Sequence, residues 1–476
     1  MQRPTPPASR RGSNPQPMAR IMDAMASSDD DHTTPAQHAA RFRVGGAPLG
    51  FGALIGLVLS AATVAGLVLT GVAPTTQKSA EIVPEKTVAP VETPAPIPTE
   101  VPGSWPRKSL APTPPMGWNS WNQVSCDGLN EAVVMAAADN IVARGLKDAG
   151  YEYVVVDDCF QAGRDADGTL LVAADRFPNG MKHVADYVHG LGLKFGIYAV
   201  PGSVTCGNYW SKYPVKGIGS LGHEAQDVAL FVEWGVDFLK YDWCRAQIND
   251  KLDAATQFTL MNQVIKDSGR RIVLSVSEYG DYAPWTWAPG VANMWRTTHD
   301  IHPNWASILK HINLQAPLAG TSSPGAWNDP DMLQIGNGLS PNETNTHFAM
   351  WCMLAAPLFL GTDIGALPPE TIALLTNPEL LAIDKDRLGI QAHRVSDVGG
   401  RQVWMRPLHD GSFAVALLNT NSAATSMSAT LAELEIPAGS YTLRDATAQT
   451  DLGAATDTLS ATVAPHGTVV FVVTPA

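Results

Sequence analysis

The chain has 476 residues, of which 45% are hydrophobic, and its formal net charge is -13. This length provides for one large domain with a smaller one, or for two or three domains of medium size. The negative charge argues against nucleic acid or an anionic membrane surface as the partner, because binding to phosphates requires clustered Lys and Arg.

Three segments precede the predicted folded part of the chain. Residues 1–43 are rich in Pro, Ser and charge, which predicts a disordered cytoplasmic tail. Residues 44–73 are uncharged and follow Arg41 and Arg43, so we predict a transmembrane or signal-anchor segment with the tail inside the cell. A buried core helix is the alternative. Residues 74–110 mix Pro, Thr, Glu and Val, which predicts an extended linker.

The fate of the apolar segment determines where the protein is expected to be. The long tail and the lack of a clear A-x-A site favour a retained anchor, and a cleaved signal peptide is the alternative. We therefore expect an exported protein, anchored at the cell surface or secreted if the segment is cleaved. The five Cys form no C-x-x-C pair, and two disulfides with one free thiol, in an oxidising compartment, is the simplest interpretation.

Residues 111–390 alternate between apolar runs and amphipathic helical segments. Strands separated by helices predict a parallel sheet covered on both faces, and a count of about eight predicts an α/β protein with a (β/α)8 TIM barrel. A doubly wound open sheet is the alternative, although no G-x-G-x-x-G follows a strand. The candidate strands are MGWNSW (116–121), YEYVVVDD (151–158), LKFGIYAV (193–200), GVDFLKYD (235–242), RIVLSVSE (271–278), ANMWRTTHD (292–300), LQAPLAG (314–320) and CMLAAPLFLG (352–361).

Residues 391–476 have a different pattern. Short runs such as RQVWMRPL, GSFAVALLN and GTVVFVV alternate in polarity and are bounded by Gly, Asn and Asp. This pattern predicts a C-terminal antiparallel β-sandwich.

The end of the fourth candidate strand carries a candidate nucleophile. Lys240, Asp242 and Cys244 share one face of the strand, because side chains alternate. If that face points into the barrel, the ammonium keeps the carboxylate of Asp242 ionised, as a nucleophile requires. A structural ion pair at a strand end is the alternative.

Asp300 ends the sixth candidate strand, four residues after Arg296. Two carboxylates from different strands are what glycoside hydrolysis requires, since one attacks the anomeric carbon and the other, protonated, gives its proton to the departing oxygen. An ionised Asp242 nearby is expected to raise the pKa of Asp300. An N-cap of the next helix is the alternative role.

Four more carboxylates lie after the apolar run YVVV and in the segment WNDPDM. An acidic cluster of this kind binds either sugar hydroxyls or a hard cation such as Ca²⁺ or Mg²⁺. We favour sugar hydroxyls and predict no metal and no cofactor, because no D-x-[DN]-x-[DN]-G loop is present and Lys240 and Arg296 bring positive charge. The four residues are Asp157, Asp158, Asp329 and Asp331.

Over residues 110–476 the sequence resembles the α-galactosidase and α-N-acetylgalactosaminidase glycoside hydrolase family (family 27, melibiase type). The matching motifs include MGWNSW, DDCF, RFPNGMK, HGLGLKFGIY, WGVDFLKYDWC, WRTTHDI, PGAWNDPDML and APLFLGTDI. The resemblance implies a retaining α-galactosidase with Asp242 as the nucleophile and Asp300 as the acid/base. It implies substrate binding by Trp121, Asp157, Asp158, Tyr198, Lys240, Arg296 and Asp331. It also implies disulfides Cys126–Cys159 and Cys206–Cys244, with Cys352 free.

Two departures from the family pattern affect the expected substrate. The fifth strand ends in SVSEYGDY, where many relatives have Cys before the acid and Trp after it, so Glu278 and its neighbours are expected to shape the pocket around the 2-hydroxyl. The loop from Gly207 to Gly222 is longer than usual and brings in Tyr209, Trp210 and Tyr213. These aromatic residues either stack on a second sugar or pack the loop.

The expected partner is an α-galactoside in an oligosaccharide or polysaccharide. The resemblance leaves three alternatives, which are a β-L-arabinopyranosidase, an isomaltodextran-cleaving enzyme and a non-catalytic glycan-binding surface protein. Hydrolysis and transglycosylation use the same residues, and the oligomeric state is not defined by the sequence.

Overall fold

The computed structural model describes residues 110–455 and 457–476. The predicted cytoplasmic tail and apolar segment, and the linker up to residue 109, lie outside the described residues. No helix within the described ranges is long and apolar enough to cross a membrane.

Eight of the first ten strands form one parallel sheet. Their order is β10-β1-β2-β5-β6-β7-β8-β9, and β3 and β4 pair with each other as an antiparallel hairpin. Leu333, just after β9, forms a parallel bridge with Leu360 of β10, so the two edges meet and the sheet closes into a barrel. The strands are β1 (Met116–Asn119), β2 (Tyr153–Val156), β3 (Gln161–Arg164), β4 (Leu170–Val172), β5 (Lys194–Ala199), β6 (Phe238–Asp242), β7 (Val273–Ser277), β8 (Met294–Arg296), β9 (Trp327–Asp329) and β10 (Leu358–Leu360).

Helices connect most successive barrel strands. Their ends follow local signals: Ser340 and Glu343 form a capping box, with Pro341 at the first position of a helix. The helices of the described residues are α1 (Trp121–Gly128), α2 (Glu131–Ala143), α3 (Leu146–Ala149), α4 (Met181–Gly190), α5 (Cys206–Tyr209), α6 (Glu224–Trp234), α7 (Ala246–Asn249), α8 (Ala254–Asp267), α9 (Trp305–Gln315), α10 (Pro341–Met353), α11 (Pro369–Leu375) and α12 (Pro378–Asp384).

One candidate strand was assigned wrongly. The LQAPLAG segment ends α9 and continues as a 3-10 turn at Ala316–Leu318, and β9 is the seventh barrel strand instead. The reason is that Pro317 has no amide hydrogen for a sheet ladder. The three residues of β9 include only one apolar side chain, Trp327, so the strand has no apolar run for the sequence to reveal.

Apolar side chains from six strands fill the floor of the barrel. Tyr153 and Phe238 pack with their ring centroids 5.4 Å apart, and Phe238 packs on Phe359 at 5.2 Å. Burial of each such side chain contributes about 1.5–3 kcal/mol. This layer leaves the carboxyl ends of the strands as the open end. The cluster contains Tyr153, Val155, Phe238, Val273, Met294, Trp327 and Phe359.

The C-terminal strands form the predicted antiparallel sandwich. A six-stranded sheet with the order β11-β12-β13-β18-β15-β16 accompanies a two-stranded sheet of β14 and β17. Val415, Met427, Leu459 and Phe471 belong to the apolar core that both sheets share. The strands are β11 (His393–Val398), β12 (Arg401–Pro407), β13 (Phe413–Asn419), β14 (Thr425–Thr430), β15 (Tyr441–Asp445), β16 (Thr450–Ala454), β17 (Thr458–Val463) and β18 (Thr468–Pro475).

Candidate active site

The candidate site lies where the barrel strands end. Along β6, Phe238, Lys240 and Asp242 point to the same side, because alternate residues of a strand share a face. Phe238 belongs to the apolar floor, which places Lys240 and Asp242 successively nearer the mouth. The mouth contains a cavity with about 350 Å³ of empty space, open to solvent, whose polar lining residues are Asn119, Lys240, Ser275, Ser277, Arg296, Asp329 and Asp331.

Asp242 is 5% exposed, and its two oxygens have different surroundings. Oδ1 accepts hydrogen bonds from the Trp243 amide at 2.8 Å and from the Tyr279 hydroxyl at 2.7 Å. Oδ2 lies 3.5 Å from the sulfur of Cys206, which is bonded to Cys244 and has no proton to donate. Oδ2 is therefore the oxygen with free lone pairs for attack.

Burial raises the pKa of Asp242 to about 6, against the opposing effects of Lys240 and the Tyr279 hydroxyl. As predicted, the positive charge of Lys240 favours the ionised form of Asp242, but Lys240 does not donate a hydrogen bond to Asp242. The Lys240 ammonium donates to Asp157 Oδ2 at 2.7 Å. Burial lowers the pKa of Lys240, but the negative charges of Asp157 and Asp242 outweigh burial and raise this pKa above its usual value. Lys240 therefore remains charged.

Asp157 and Asp158 lie at the end of β2 and are both buried. Asp157 Oδ2 accepts from Asn119 Nδ2 at 2.7 Å in addition to Lys240, and Oδ1 accepts from the Asp158 amide. Asp158 accepts from the Cys159 amide at 2.7 Å and from the Gly207 amide at 2.6 Å. The Thr205 side chain is a third donor to Asp158, so its two oxygens, with four lone-pair sites, can still accept one further hydrogen bond.

Burial raises the pKa of Asp158 to about 7. Its partner Gly207 belongs to the long loop, and a side chain there would not fit. A Cβ on Gly207 would lie 2.8 Å from the Cys159 sulfur and 3.0 Å from Asp158 Oδ2. The two disulfides, Cys126–Cys159 and Cys206–Cys244, thus hold the loop against the carboxylate of Asp158. Cys352 is unpaired and buried.

Arg296, the last residue of β8, links two more acids. Its Nη2 lies 2.9 Å from Asp331 Oδ2 and 3.2 Å from Asp300 Oδ1. The Asp331 carboxylate also accepts from the Ile301 and Met332 amides. The side chain of Asp300 is 52% exposed, so of the two candidate catalytic acids Asp300 is the more accessible to solvent.

The predicted rise in the pKa of Asp300 is wrong for the protein without substrate. Partial desolvation of the half-exposed carboxyl raises this pKa, but the Arg296 guanidinium, Lys240 and His299 outweigh that effect and hold the pKa below the usual value. The N-cap alternative is also wrong, because α9 begins at Trp305 and its cap is Asn304. The carboxylate of Asp300 therefore does not cap this helix.

Trp121, Tyr198 and Glu278 occupy three different environments. Trp121 is half-buried at the start of α1, and the Lys212 ammonium lies 5.2 Å from its ring centroid. The Tyr198 ring lies 5.6 Å from the Lys240 ammonium, and its hydroxyl contacts Cys244 Sγ at 3.1 Å. Glu278 is fully buried.

Glu278 is tied to its own loop. Its Oε2 accepts from the Tyr282 amide at 2.9 Å, and burial raises the pKa of Glu278 to about 9. In the preceding strand, Ser275 and Ser277 line the cavity, which by alternation turns the following side chain away from it. The expected role of Glu278 at the 2-hydroxyl of a sugar stays a prediction, and a direct contact is not favoured by this orientation.

The aromatic residues of the loop from Gly207 to Gly222 were expected either to pack the loop or to stack on a second sugar, and the structure distinguishes them by exposure. Tyr213 is buried and donates to the Gln161 carbonyl at 2.5 Å, so it packs the loop. Trp210 is 38% exposed and lies edge-on to Tyr209, with ring centroids 4.8 Å apart. Tyr209 and Trp210 remain the aromatic residues of this loop that a second sugar can reach.

Sequence reasoning missed Asn119 and Tyr279. Asn119 ends β1 and its side chain binds Asp157, and its position at the carboxyl end of a predicted strand was a usable signal. Tyr279 contacts Asp242 from a backbone with a φ of 67°, a conformation that L-residues seldom adopt. No local sequence pattern signals this contact.

Comparison with known proteins gives consistent matches over both domains. A family model described as "Alpha galactosidase A" matches residues 113–386, and one described as "Alpha galactosidase C-terminal beta sandwich domain" matches residues 398–473. The "Probable alpha-galactosidase" of Dictyostelium discoideum is 40% identical, over 77% of this chain and 94% of that protein.

Solved structures agree with the sequence relatives. Alpha-galactosidase I from Mortierella vinacea is 31% identical and superposes with a TM-score of 0.72, covering 78% of this chain and 100% of its own. An alpha-galactosidase from Saccharomyces cerevisiae, solved with raffinose, is 28% identical with a TM-score of 0.71 and covers the same shares.

Proposed function

The chain belongs to the alpha-galactosidase family, and from this premise we propose that it is a retaining α-galactosidase that removes terminal α-D-galactosyl residues from oligosaccharides or polysaccharides. The observation that carries the proposal is the pair of carboxylates at one barrel mouth. Asp242 ends β6, and its Oδ2 has free lone pairs. Asp300 lies in the loop after β8 and forms an ion pair with Arg296, which also pairs with Asp331.

In the first step, Asp242 Oδ2 forms a bond to the anomeric carbon. The bond from that carbon to the leaving oxygen breaks, and Asp300 gives the leaving oxygen its proton. In the second step, a water molecule gives a proton to Asp300, and the oxygen of that water bonds to the anomeric carbon. The bond between this carbon and Asp242 breaks, which releases the Asp242 carboxylate. The two carboxylates suffice for this reaction, and it requires neither a metal nor a cofactor.

Asp300 has to hold a proton before the first step. The Arg296 guanidinium opposes this in the protein without substrate, because a nearby positive charge favours the carboxylate. A sugar hydroxyl that takes a hydrogen bond from Arg296 weakens this effect. Exclusion of water by the bound sugar then raises the pKa of Asp300.

Asp157 and Asp158 supply the preference for galactose in this proposal. The axial O4 and the O6 of galactose can reach acceptors on one side of the ring. Asp158 keeps one free lone-pair site beyond its bonds to Cys159, Gly207 and Thr205. A glucoside, whose O4 is equatorial, leaves such an acceptor unpaired and loses about 1–3 kcal/mol.

Other residues of the site support this binding mode. Trp121 is half-buried at the start of α1, with the Lys212 ammonium over its ring. Lys240, whose ammonium lies over the Tyr198 ring, holds Asp157 in place. Glu278 is proposed to shape the 2-hydroxyl pocket, and the half-buried Tyr209 with the exposed Trp210 to shape a site for the next sugar. The β-L-arabinopyranosidase, isomaltodextran and glycan-binding alternatives are not favoured by relatives of about 40% identity that are alpha-galactosidases.

We also propose export of the protein. Two disulfides in the catalytic domain support an oxidising compartment. Residues 44–73 then anchor the protein at the cell surface, or are removed from a secreted form. Protease added to intact cells, followed by detection of the barrel domain, tests this placement. If the protease cleaves the barrel domain only after the cells are broken, the proposal is contradicted.

The test of the activity uses the full chain purified in detergent. We expect fast release of p-nitrophenol from the α-galactoside, and slow release from the β-L-arabinopyranoside, α-N-acetylgalactosaminide and α-glucoside. Proton NMR of the first product should show α-galactose, because two displacements retain the configuration. Asp186→Ala, on the outer face of α4, is the matched control for Asp242→Ala. A folded protein that turns over none of these substrates, or that releases β-galactose first, contradicts the proposal.

A further inference from the structure

Tyr279 has no part in the reaction as described, yet its hydroxyl contacts the proposed nucleophile. It lies two residues beyond the end of β7, and its φ of 67° is followed by a φ of 82° at Gly280. Two successive left-handed residues are a costly backbone arrangement for a residue with a side chain. The ring packs against Tyr198, Cys206 and Cys244, so the turn brings it to the barrel mouth.

Two neighbours of the acid/base candidate hold the Tyr279 ring. His299, which directly precedes Asp300, stacks on the ring with centroids 5.9 Å apart and an interplanar angle of 19°. The Arg296 guanidinium lies 5.9 Å from the centroid of the ring. His299 is held in turn by Asp281, whose Oδ1 is 2.8 Å from its Nε2. Tyr279 is thus attached to the loop that carries Asp300.

The hydroxyl determines which oxygen of Asp242 is free. Tyr279 donates to Oδ1 at 2.7 Å and the Trp243 amide donates to the same oxygen at 2.8 Å. With both donors on Oδ1, rotation of the carboxylate would break two hydrogen bonds at once. Oδ2 is therefore held away from these two donors, 3.5 Å from the disulfide sulfur of Cys206, which has no proton to donate.

We propose that Tyr279 is a positioning residue for the nucleophile: it orients Asp242 so that Oδ2 attacks, and it stabilises the carboxylate that is released in the second step. The inference rests on the proposed function. Hydrogen-bond donors fixed where negative charge develops are among the most effective devices of catalysis. Tyr279 keeps its proton throughout, since burial and Asp242 raise the pKa of its hydroxyl well above the usual value.

The same hydrogen bond affects the ionisation of Asp242. A donor to the charged form lowers the pKa of a carboxyl group, and Tyr279 opposes the rise that burial causes. Loss of the hydroxyl therefore raises the pKa of Asp242 further. The charged or titratable groups that face Asp242 are Asp157 from the end of β2, Tyr198 from β5, Lys240 from β6, Tyr279 after β7, and Arg296 and Asp300 at and after the end of β8.

The test is Tyr279→Phe in the full chain, with Tyr187→Phe as the control. Tyr187 donates to Asp139 Oδ1 at 2.7 Å on the outside of the barrel, so the control removes the same kind of bond at the same length. We expect kcat for p-nitrophenyl α-galactoside to fall about 10- to 100-fold with KM changed less than about threefold. The acid limb of kcat/KM should move to higher pH. The control should keep the wild-type kcat, KM and pH profile.

A merely structural role for Tyr279 would lower the melting temperature without moving the acid limb. Wild-type kcat together with an unmoved acid limb in a folded Tyr279→Phe overturns the inference. If that variant is recovered unfolded, His299→Ala removes the stacked ring and leaves the hydroxyl in place. A smaller rise of the acid limb is then expected, and no rise overturns the inference. If the wild type itself does not turn over the galactoside, the proposed function fails and the inference fails with it.

Discussion

The two ends of the barrel use the same strands for opposite purposes. On β6, Phe238 belongs to the apolar floor and Asp242 lies at the mouth, four residues further on the same face. On β9, Trp327 lies in the floor and Asp329 at the mouth. The floor removes apolar surface from water, whereas the mouth buries carboxylates at a cost in solvation. Stability and chemistry are therefore separated along the strand direction.

The mouth also shows how buried charge is made tolerable. Asp157 and Asp331 each combine a cationic partner with backbone or amide donors. Asp242 and Asp329 have fewer compensating donors, and burial raises the pKa of each to about 6. Asp158, which likewise has no direct cationic partner, has its pKa raised by burial to about 7. The buried acids of the mouth without a direct cationic partner are thus the ones whose protonation changes near neutral pH.

The largest expected effect comes from Asp242→Ala at the mouth. Without the nucleophile the double displacement cannot begin, so turnover of any α-galactoside should fall at least about 10,000-fold. The melting temperature should stay the same or rise, because a buried carboxylate is removed. Steady-state assays and thermal unfolding measure both quantities. A strongly destabilised variant would mean that Asp242 has a structural role in addition.

Asp300→Ala should separate the two acids of the mouth. Galactosides with poor leaving groups should lose about 100- to 10,000-fold in kcat/KM, because general acid catalysis contributes that much. The p-nitrophenyl galactoside should lose less, since p-nitrophenolate leaves without a proton. Equal losses on both substrates would contradict the acid role of Asp300.

Val273→Ala tests the floor. Val273 is buried at the start of β7, opposite to the end that carries the site. Loss of two buried methyl groups and the resulting cavity should lower the free energy of unfolding by about 2–3 kcal/mol. The kcat of the folded fraction should be unchanged. Denaturant unfolding and active-site titration measure the two effects, and a fall in kcat without loss of stability would break the separation of floor and mouth.

The smallest effect is the pH dependence of the wild type. Below about pH 6 the value of kcat/KM should fall, because the pKa of Asp242 is about 6 and the protonated acid is no nucleophile. Asp158, with a pKa of about 7, also takes up a proton in this range, which makes the fall steeper than for one group. Because kcat/KM reports the ionisation of the free enzyme, an acid limb near pH 4 would contradict the pKa of about 6 that burial gives Asp242.

The strand ends were the most predictable part of the site. Asp157, Asp242 and Arg296 each follow an apolar run, and all three lie at the barrel mouth. The remaining acids were also found from their positions in the sequence pattern, and the resemblance to a known family added the pairing of both disulfides. The seventh strand was missed because its three residues include two polar ones. The pKa of Asp300 was predicted with the wrong sign because Arg296, and not Asp242, is its direct partner.

The sequence by itself determined the alternation of strands and helices apart from the seventh barrel strand, the C-terminal sandwich, the family and the two candidate catalytic acids. Each of these depends on local periodicity or on motifs within one segment. Only the tertiary structure decided which donor each carboxylate has: Lys240 bonds to Asp157, and the Tyr279 hydroxyl reaches Asp242 across 37 residues. The physical reason is that such contacts depend on closure of the sheet and on a left-handed turn, which no periodicity of the sequence records.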